Sequence, residues 1–194
     1  VYYVLMRYSA LKEKIKRNIF SFLDVVKTFP LEKEEAIKIQ LYRFSKKDLI
    51  TQIKRGLYCF DKSLIDELEL ASFLYQPSYV SLETALNYYG MIPDIPLAVS
   101  SITLTTTKHL NNAFGGFNYH KIKPDLFYGF SSVPTPNLGV FNLADKEKAL
   151  LDYLYLRKIT GLSDSRINIT TLNMTKYKKY VRGFPLWVQK IKLI

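Results

Sequence analysis

The sequence predicts an α+β protein, with a small helical unit that ends in a β-hairpin followed by a larger domain in which helices and strands mix. Two features of the pattern carry this expectation. Within residues 41–60, LYRFSKKDLITQIKRGLYCF, the apolar spacing changes from helical to strand-like. From residue 97 onward, β-branched segments bounded by Gly, Pro and Asn turns give way to an amphipathic helix and then a basic tail. A third observation, a formal net charge of +11 over 194 residues, points to a polyanionic partner.

Residues 2–19 carry Leu11, Ile15 and Ile19 at intervals of four, with Lys12, Lys14, Lys16 and Arg17 between them, which predicts a support helix. Ser21 followed by Asp24 reads as a capping box with the shorter acid in place of Glu, opening a short helix through Val25, Val26 and Thr28 that Pro30 terminates. The next helix opens with Glu32, Glu34 and Glu35, where the positive end of the helix dipole favours acids. It continues with Ile37, Leu41 and Phe44 on one face, leaving Lys38, Tyr42, Arg43 and Lys46 to point elsewhere. Asp48 tolerates the left-handed turn that stops a helix; strand spacing then runs through Ile53, Leu57 and Tyr58-Cys59-Phe60, with Lys54-Arg55-Gly56 at the tip.

A helix with a cationic outer face followed by a hairpin with a basic turn has the form of a winged helix-turn-helix, which lays one helix in a groove and the wing on the phosphates. The expected domain is residues 1–62, and the expected DNA contacts are Lys38, Tyr42, Arg43, Lys46, Lys47, Lys54 and Arg55. Each cation taken singly is also what any amphipathic helix keeps in solvent. Three acids at the helix start would oppose phosphate.

Asp61-Lys62-Ser63 is the expected boundary to a mixed α/β domain over residues 63–194. An acidic helix over 64–75, with Asp66, Glu67 and Glu69 outward, ends at Gln76-Pro77-Ser78. Ser81 is placed to cap a helix through Tyr89 that Gly90 stops. Strands are expected over 97–107, 118–122, 126–133 and 140–142, with Gly115-Gly116, Lys123-Pro124-Asp125 and Pro134-Thr135-Pro136 as turns and Asn111-Asn112 in a loop. Asp145 is placed to cap a helix over 146–157 with Ala149, Leu150, Tyr153 and Leu154 inward and Glu147 and Lys148 solvated. The tail reads as two helical pieces, over 175–181 and 186–191.

From Arg157 onward nine cations face one acid, Asp164. This second basic surface, represented by Lys176, Lys178, Lys179 and Arg182, is expected to meet an anionic partner, and Tyr177 and Tyr180 beside it either pack inward or stack on a base. Chemistry is sparse by comparison. His109 and His120 are the only histidines and have no cysteine partners, so no metal or cofactor is expected. No phosphate-cradling glycine loop occurs, and the acids near Pro124 and Asp145 lack the spacing of a metal-dependent nuclease. No apolar run approaches the roughly 20 residues of a membrane helix. The chain begins at Val1 without a signal-peptide pattern, and single Cys59 reads as a packed, reduced thiol, so a cytoplasmic protein is expected.

The sequence resembles the AbiEi family of type IV antitoxins along nearly its whole length. In the first domain the resemblance is carried by Phe20-Ser21-Phe22-Leu23-Asp24, Leu41-Tyr42-Arg43, Lys46-Lys47 and Ile53-Lys54-Arg55-Gly56-Leu57-Tyr58. In the second it is carried by residues 77–93 (PSYVSLETALNYYGMIP), Thr105-Thr106-Thr107-Lys108 and residues 143–152 (LADKEKALLD). Asp48 stands where the family has glycine between recognition helix and wing, and the acidic helix start is a second departure. The resemblance implies a non-enzymatic autorepressor: a winged domain that binds its own operator DNA, and a C-terminal domain that opposes a nucleotidyltransferase toxin without a stable complex. The alternative is an RNA-binding protein that engages tRNA or another structured RNA through the basic C-terminal face.

Overall fold

The computed structural model describes residues 6–162 and 166–193; residues 2–5 of the expected first helix, Asp164 and Ile194 lie outside them. By contact the chain divides into one unit of Val1–Asp66 with Pro134–Gly139 and a second of Glu67–Val133 with Val140–Ile194.

In the first unit, helix α1 (Tyr8–Lys14) is shorter than the spacing predicts. Ile19 belongs to strand β1 (Ile19–Ser21) instead, which pairs antiparallel with β3 (Leu57–Cys59) at Ile19↔Cys59 and Ser21↔Leu57. The Asn18 amide explains the departure: it donates to the Asp61 carbonyl (2.8 Å) and accepts from the Asp61 N–H (2.9 Å), holding the chain alongside the hairpin. Ile15 and Ile19 are both buried, but in β1 the residue that joins the core around Ile15 is Phe20, and Ile19 points to the other face of the sheet.

Helix α2 (Phe22–Thr28) opens with the expected capping box, in which Ser21 Oγ accepts from Asp24 N–H (3.2 Å) and the Asp24 carboxylate accepts from Ser21 N–H (2.7 Å). Burial pushes the Asp24 carboxyl up, but hydrogen bonds from Ser21 and the Arg17 guanidinium outweigh it and hold the group below the usual carboxylate range. Helix α3 (Glu34–Lys46) buries Ile37, Leu41 and Phe44, the face its spacing predicts. It ends in a left-handed residue, Asp48 (φ 53°), with Asp48 N–H on the Ser45 carbonyl and Leu49 N–H on the Phe44 carbonyl. Strand β2 (Thr51–Lys54) then pairs with β3 to give a three-stranded sheet of order β1-β3-β2. At the hairpin tip Gly56 takes φ 76°, and its carbonyl accepts from Phe22 N–H (2.8 Å), fastening the tip to the start of α2. Leu11, Phe20, Val25, Ile37, Leu41 and Ile50 form the core. Cys59 of β3 is a buried free thiol, its ionisation pushed up by burial.

The second unit is built on a six-stranded mixed sheet of order β6-β7-β5-β4-β9-β8. In chain order its elements are α4 (Glu67–Leu74), β4 (Ser78–Val80), α5 (Leu82–Tyr88), β5 (Ala98–Thr103), β6 (Lys108–Asn112), β7 (Gly115–Lys121), β8 (Phe130–Pro134), β9 (Val140–Ala144), α6 (Lys146–Leu156), α7 (Met174–Val181) and α8 (Leu186–Gln189). Helix α4 lies on one face, where Tyr119 OH donates to the Ala71 carbonyl (2.7 Å), and α6 lies on the other, where Tyr79 OH reaches Asp152 (3.0 Å). The molecule is thus α+β, and no described helix is long and apolar enough to cross a membrane.

Several local expectations are corrected here. Asn111-Asn112 and Gly115-Gly116 are not loop and turn but the facing ends of β6 and β7, paired at Asn111↔Gly116 and Asn112↔Gly115. Ladder hydrogen bonds override the poor strand propensity of these residues. Glu69 is buried rather than outward. Ser81 and Asp145 occupy N-cap positions, yet neither side chain caps its helix.

Asp48→Gly relieves the left-handed strain of a residue with a Cβ, and its side chain is exposed. The substitution should stabilise the first unit by roughly half to 1 kcal/mol. Thermal unfolding checks this, and a lowered midpoint would contradict the helix-stop assignment.

Candidate nucleic-acid interface

Burial of Ile37, Leu41 and Phe44 turns the other side of α3 to solvent, so Lys38, Tyr42, Arg43, Lys46 and Lys47 are all exposed. Lys54 and Arg55 are exposed at the hairpin tip. The seven side chains therefore belong to one helix face and the hairpin that follows it. Local contacts organise some of them. Lys38 Nζ lies 3.8 Å from Glu34 Oε2 and 5.3 Å from the Phe22 ring, while Lys46 Nζ lies 5.6 Å from the Tyr42 ring. The Glu34 carboxylate at the helix start thus has a cation beside it, which lessens the expected repulsion of phosphate. Ile39, 51% exposed, and Tyr42, 63% exposed, add apolar surface to the same stripe. Ile39 was not among the expected contacts, although its spacing to Arg43 and Lys46 places it there.

The tail is less uniform than its composition suggests. Lys178, Lys179 and Arg182 are exposed, but Lys176 is half-buried, 2.7 Å from Asp145 Oδ2 and 4.0 Å from Glu147 Oε2. Burial pulls the Lys176 ammonium down, and the Asp145 carboxylate more than offsets this, leaving it above the usual lysine range. Tyr180 OH donates to the same carboxylate (2.9 Å), and Tyr177 is buried, so the Tyr177 ring packs inward. Asp145 is drawn away from capping α6 by these two partners. Arg157, also counted in the basic tail, is held by Glu83 through two hydrogen bonds of 2.6 and 2.9 Å. Lys158, Arg166, Lys190 and Lys192 are exposed.

The expectation that Glu147 and Lys148 are solvated is overturned. Lys148 and Asp152 have no exposed surface, and Glu147 is 4% exposed, accepting from Asn173 N–H (2.7 Å). Lys148 Nζ donates to Asp152 Oδ1 and to Tyr79 OH (2.8 Å), while Tyr79 OH and Ser81 Oγ donate to Asp152 Oδ2 at 3.0 and 2.8 Å. The ammonium also lies 5.3 to 5.4 Å from the centres of the Tyr79, Tyr128 and Phe184 rings. Burial pushes the Asp152 carboxyl up and the Lys148 ammonium down, and it raises the Tyr79 phenol well above its ordinary range. Tyr79, Ser81, Lys148 and Asp152 have no exposed surface, and the cluster serves to anchor α6 to β4. Its sequence signal was the i,i+4 pair Lys148–Asp152, with Asp152 the one charged residue between Ala149 and Leu156.

Among the described residues no three His, Cys, Asp or Glu side chains come together to hold a metal ion. His109 and His120 lie ring to ring at 6.2 Å, with His109 Nδ1 2.8 Å from Asn118 Oδ1. Burial pushes the His120 imidazole below its ordinary value, and Arg157 adds to the effect.

Removing one partner of the buried pair leaves a desolvated charge. Asp152→Asn should destabilise the second unit by about 3 to 5 kcal/mol, and Lys148→Met combined with it should recover a substantial part. Denaturant unfolding of the two single variants and the double variant measures the coupling, and additive losses would contradict the anchor role. Comparison with known protein families and with curated proteins yields no match to this chain.

Proposed function

We propose that this protein is a DNA-binding autorepressor of the type IV antitoxin kind, not an enzyme. The observation that carries the DNA-binding part is the exposed cationic face of α3 continuing into the Lys54-Arg55 tip of the β2–β3 hairpin. Two further facts support it. The element order α1-β1-α2-α3-β2-β3, with β1 beside β3 in the sheet, is compatible with the proposed winged helix-turn-helix. The formal charge of +11 supplies long-range attraction to a duplex. In this reading α3 enters the groove, Ile39 and Tyr42 offer apolar contact to base edges, and Arg55 and Lys54 clamp a phosphate from the wing.

The antitoxin role, opposing a nucleotidyltransferase toxin without a stable complex, rests on the resemblance of residues 77–93 and 143–152 to the AbiEi family. Tyr79, Ser81, Lys148 and Asp152 of those stretches meet in the buried network, so the resemblance speaks for a shared framework in the second domain. A second reading, RNA binding by the tail, is favoured by exposed Lys178, Lys179, Arg182, Lys190 and Lys192.

Arg43, Lys46, Lys47 and Arg55 are exposed, and replacing all four by Ala should lower the slope of log K against log salt by about 3 to 4 on a duplex spanning the protein's own promoter. Fluorescence anisotropy across a salt series reads this directly, and an unchanged slope would overturn the interface. In the same assay Lys178→Glu, Lys179→Glu and Arg182→Glu together should leave the duplex slope unaltered. Loss of duplex binding in that variant would shift the interface to the tail.

A further inference from the structure

A cavity of about 590 Å³ in the second unit, within the size range of small-ligand sites, is lined by Ser72, Gln76, Ser78, Phe127, Phe130 and Asn142. No ionisable side chain lines it, so it suits a neutral group rather than a phosphate or carboxylate. Its polar atoms are committed in a particular way. Gln76 Nε2 donates to the Ser72 carbonyl (3.0 Å), which leaves Oε1 as an acceptor. Asn142 Oδ1 accepts from Ser132 Oγ (2.9 Å), which leaves its Nδ2 as a donor. Ser78 Oγ donates to the Tyr75 carbonyl (2.6 Å) and keeps its lone pairs. The Phe127 and Phe130 rings meet edge to face at 5.2 Å, and Phe130 stacks on Tyr79 at 4.4 Å.

From this we propose that the cavity binds a nucleobase. A planar heteroaromatic ring is the neutral group that both stacks on a phenyl face and alternates donors and acceptors along its edge, matching Asn142 Nδ2 against Gln76 Oε1. A sugar supplies hydroxyls but no π-face. The site lies in the second unit and does not rest on duplex binding by α3. Its ligand is either a free nucleoside or an unstacked base of single-stranded RNA, and the chemistry of recognition is the same for both.

The test is calorimetric titration of the full chain with adenosine, guanosine, cytidine and uridine, with ribose as the control lacking a base. At least one nucleoside should bind with a Kd on the order of 0.1 mM, as expected of a ligand of that size, while ribose does not. Asn142→Ala and Gln76→Ala should each weaken binding roughly three- to tenfold, the effect of losing one hydrogen bond. Gln76 is exposed, so its variant is expected to fold whether or not Asn142→Ala does. Displacement of the nucleoside by a short single-stranded oligoribonucleotide assigns the base to RNA, and failure to displace assigns it to a free nucleoside; the base site stands in either case. Absence of binding by all four nucleosides, equal binding of ribose, or binding untouched in Gln76→Ala would overturn the proposal. Arg43→Ala should leave nucleoside binding unchanged, which separates this result from the fate of the duplex interface.

Discussion

Two opposite charges with no exposed surface hold the second unit together. Taking an ammonium and a carboxylate out of water costs several kcal/mol per ion, and their mutual attraction offsets this only when the remaining hydrogen-bonding capacity is filled. Here Asp152 accepts from Tyr79, Ser81 and Lys148, and Lys148 is surrounded by the Tyr79, Tyr128 and Phe184 rings. The cluster therefore ties α6 to β4, to the loop before β8 and to the segment after α7. The fit is close enough to require glycine at position 129: a Cβ there would lie 3.0 Å from both Lys148 Cγ and Tyr180 Cε2, and its φ of 73° already disfavours a side chain. A unit anchored this way keeps Lys148 and Asp152 out of contact with bulk solvent.

The first unit solves the opposite problem. Its core is the apolar faces of three helices closed by a short sheet, with Asn18 and the Ser21–Asp24 box satisfying the backbone at the junctions. Because Ile37, Leu41 and Phe44 use up one side of α3, the other side is left for cations and for Ile39 and Tyr42. Packing alone thus determines which residues are available to a partner, and the hairpin tip is fixed by the Gly56 carbonyl bonded to Phe22 N–H. The helix stop at Asp48 and the Ser21–Asp24 cap are short-range devices.

That difference in range separates what the sequence revealed from what it concealed. The face of α3, the capping box and the left-handed Asp48 depend on residues within about one helical turn of each other, and local pattern carried them. Lys148 looked solvated because its hydroxyl partner Tyr79 lies 69 positions away, and Ser81 looked like a cap because the carboxylate that claims it is 71 positions away. Asp145 was diverted from its helix by Tyr180, 35 positions on. Ile19 misled for another reason, since a buried strand residue fell by chance at the helical interval from Leu11 and Ile15. Of the candidate contacts, the α3 and hairpin cations are all exposed as the pattern required, whereas Lys176 is withdrawn into an ion pair that charge counting had no means to detect.

The proposed duplex binding by α3 and the hairpin is tested most directly by amide chemical-shift mapping of the full chain during titration with promoter duplex. The largest shifts should fall on Lys38, Ile39, Tyr42, Arg43 and Lys46 of α3 and on Lys54 and Arg55 of the hairpin. Shifts concentrated instead on Lys178, Lys179 and Arg182, with α3 unperturbed, would contradict it.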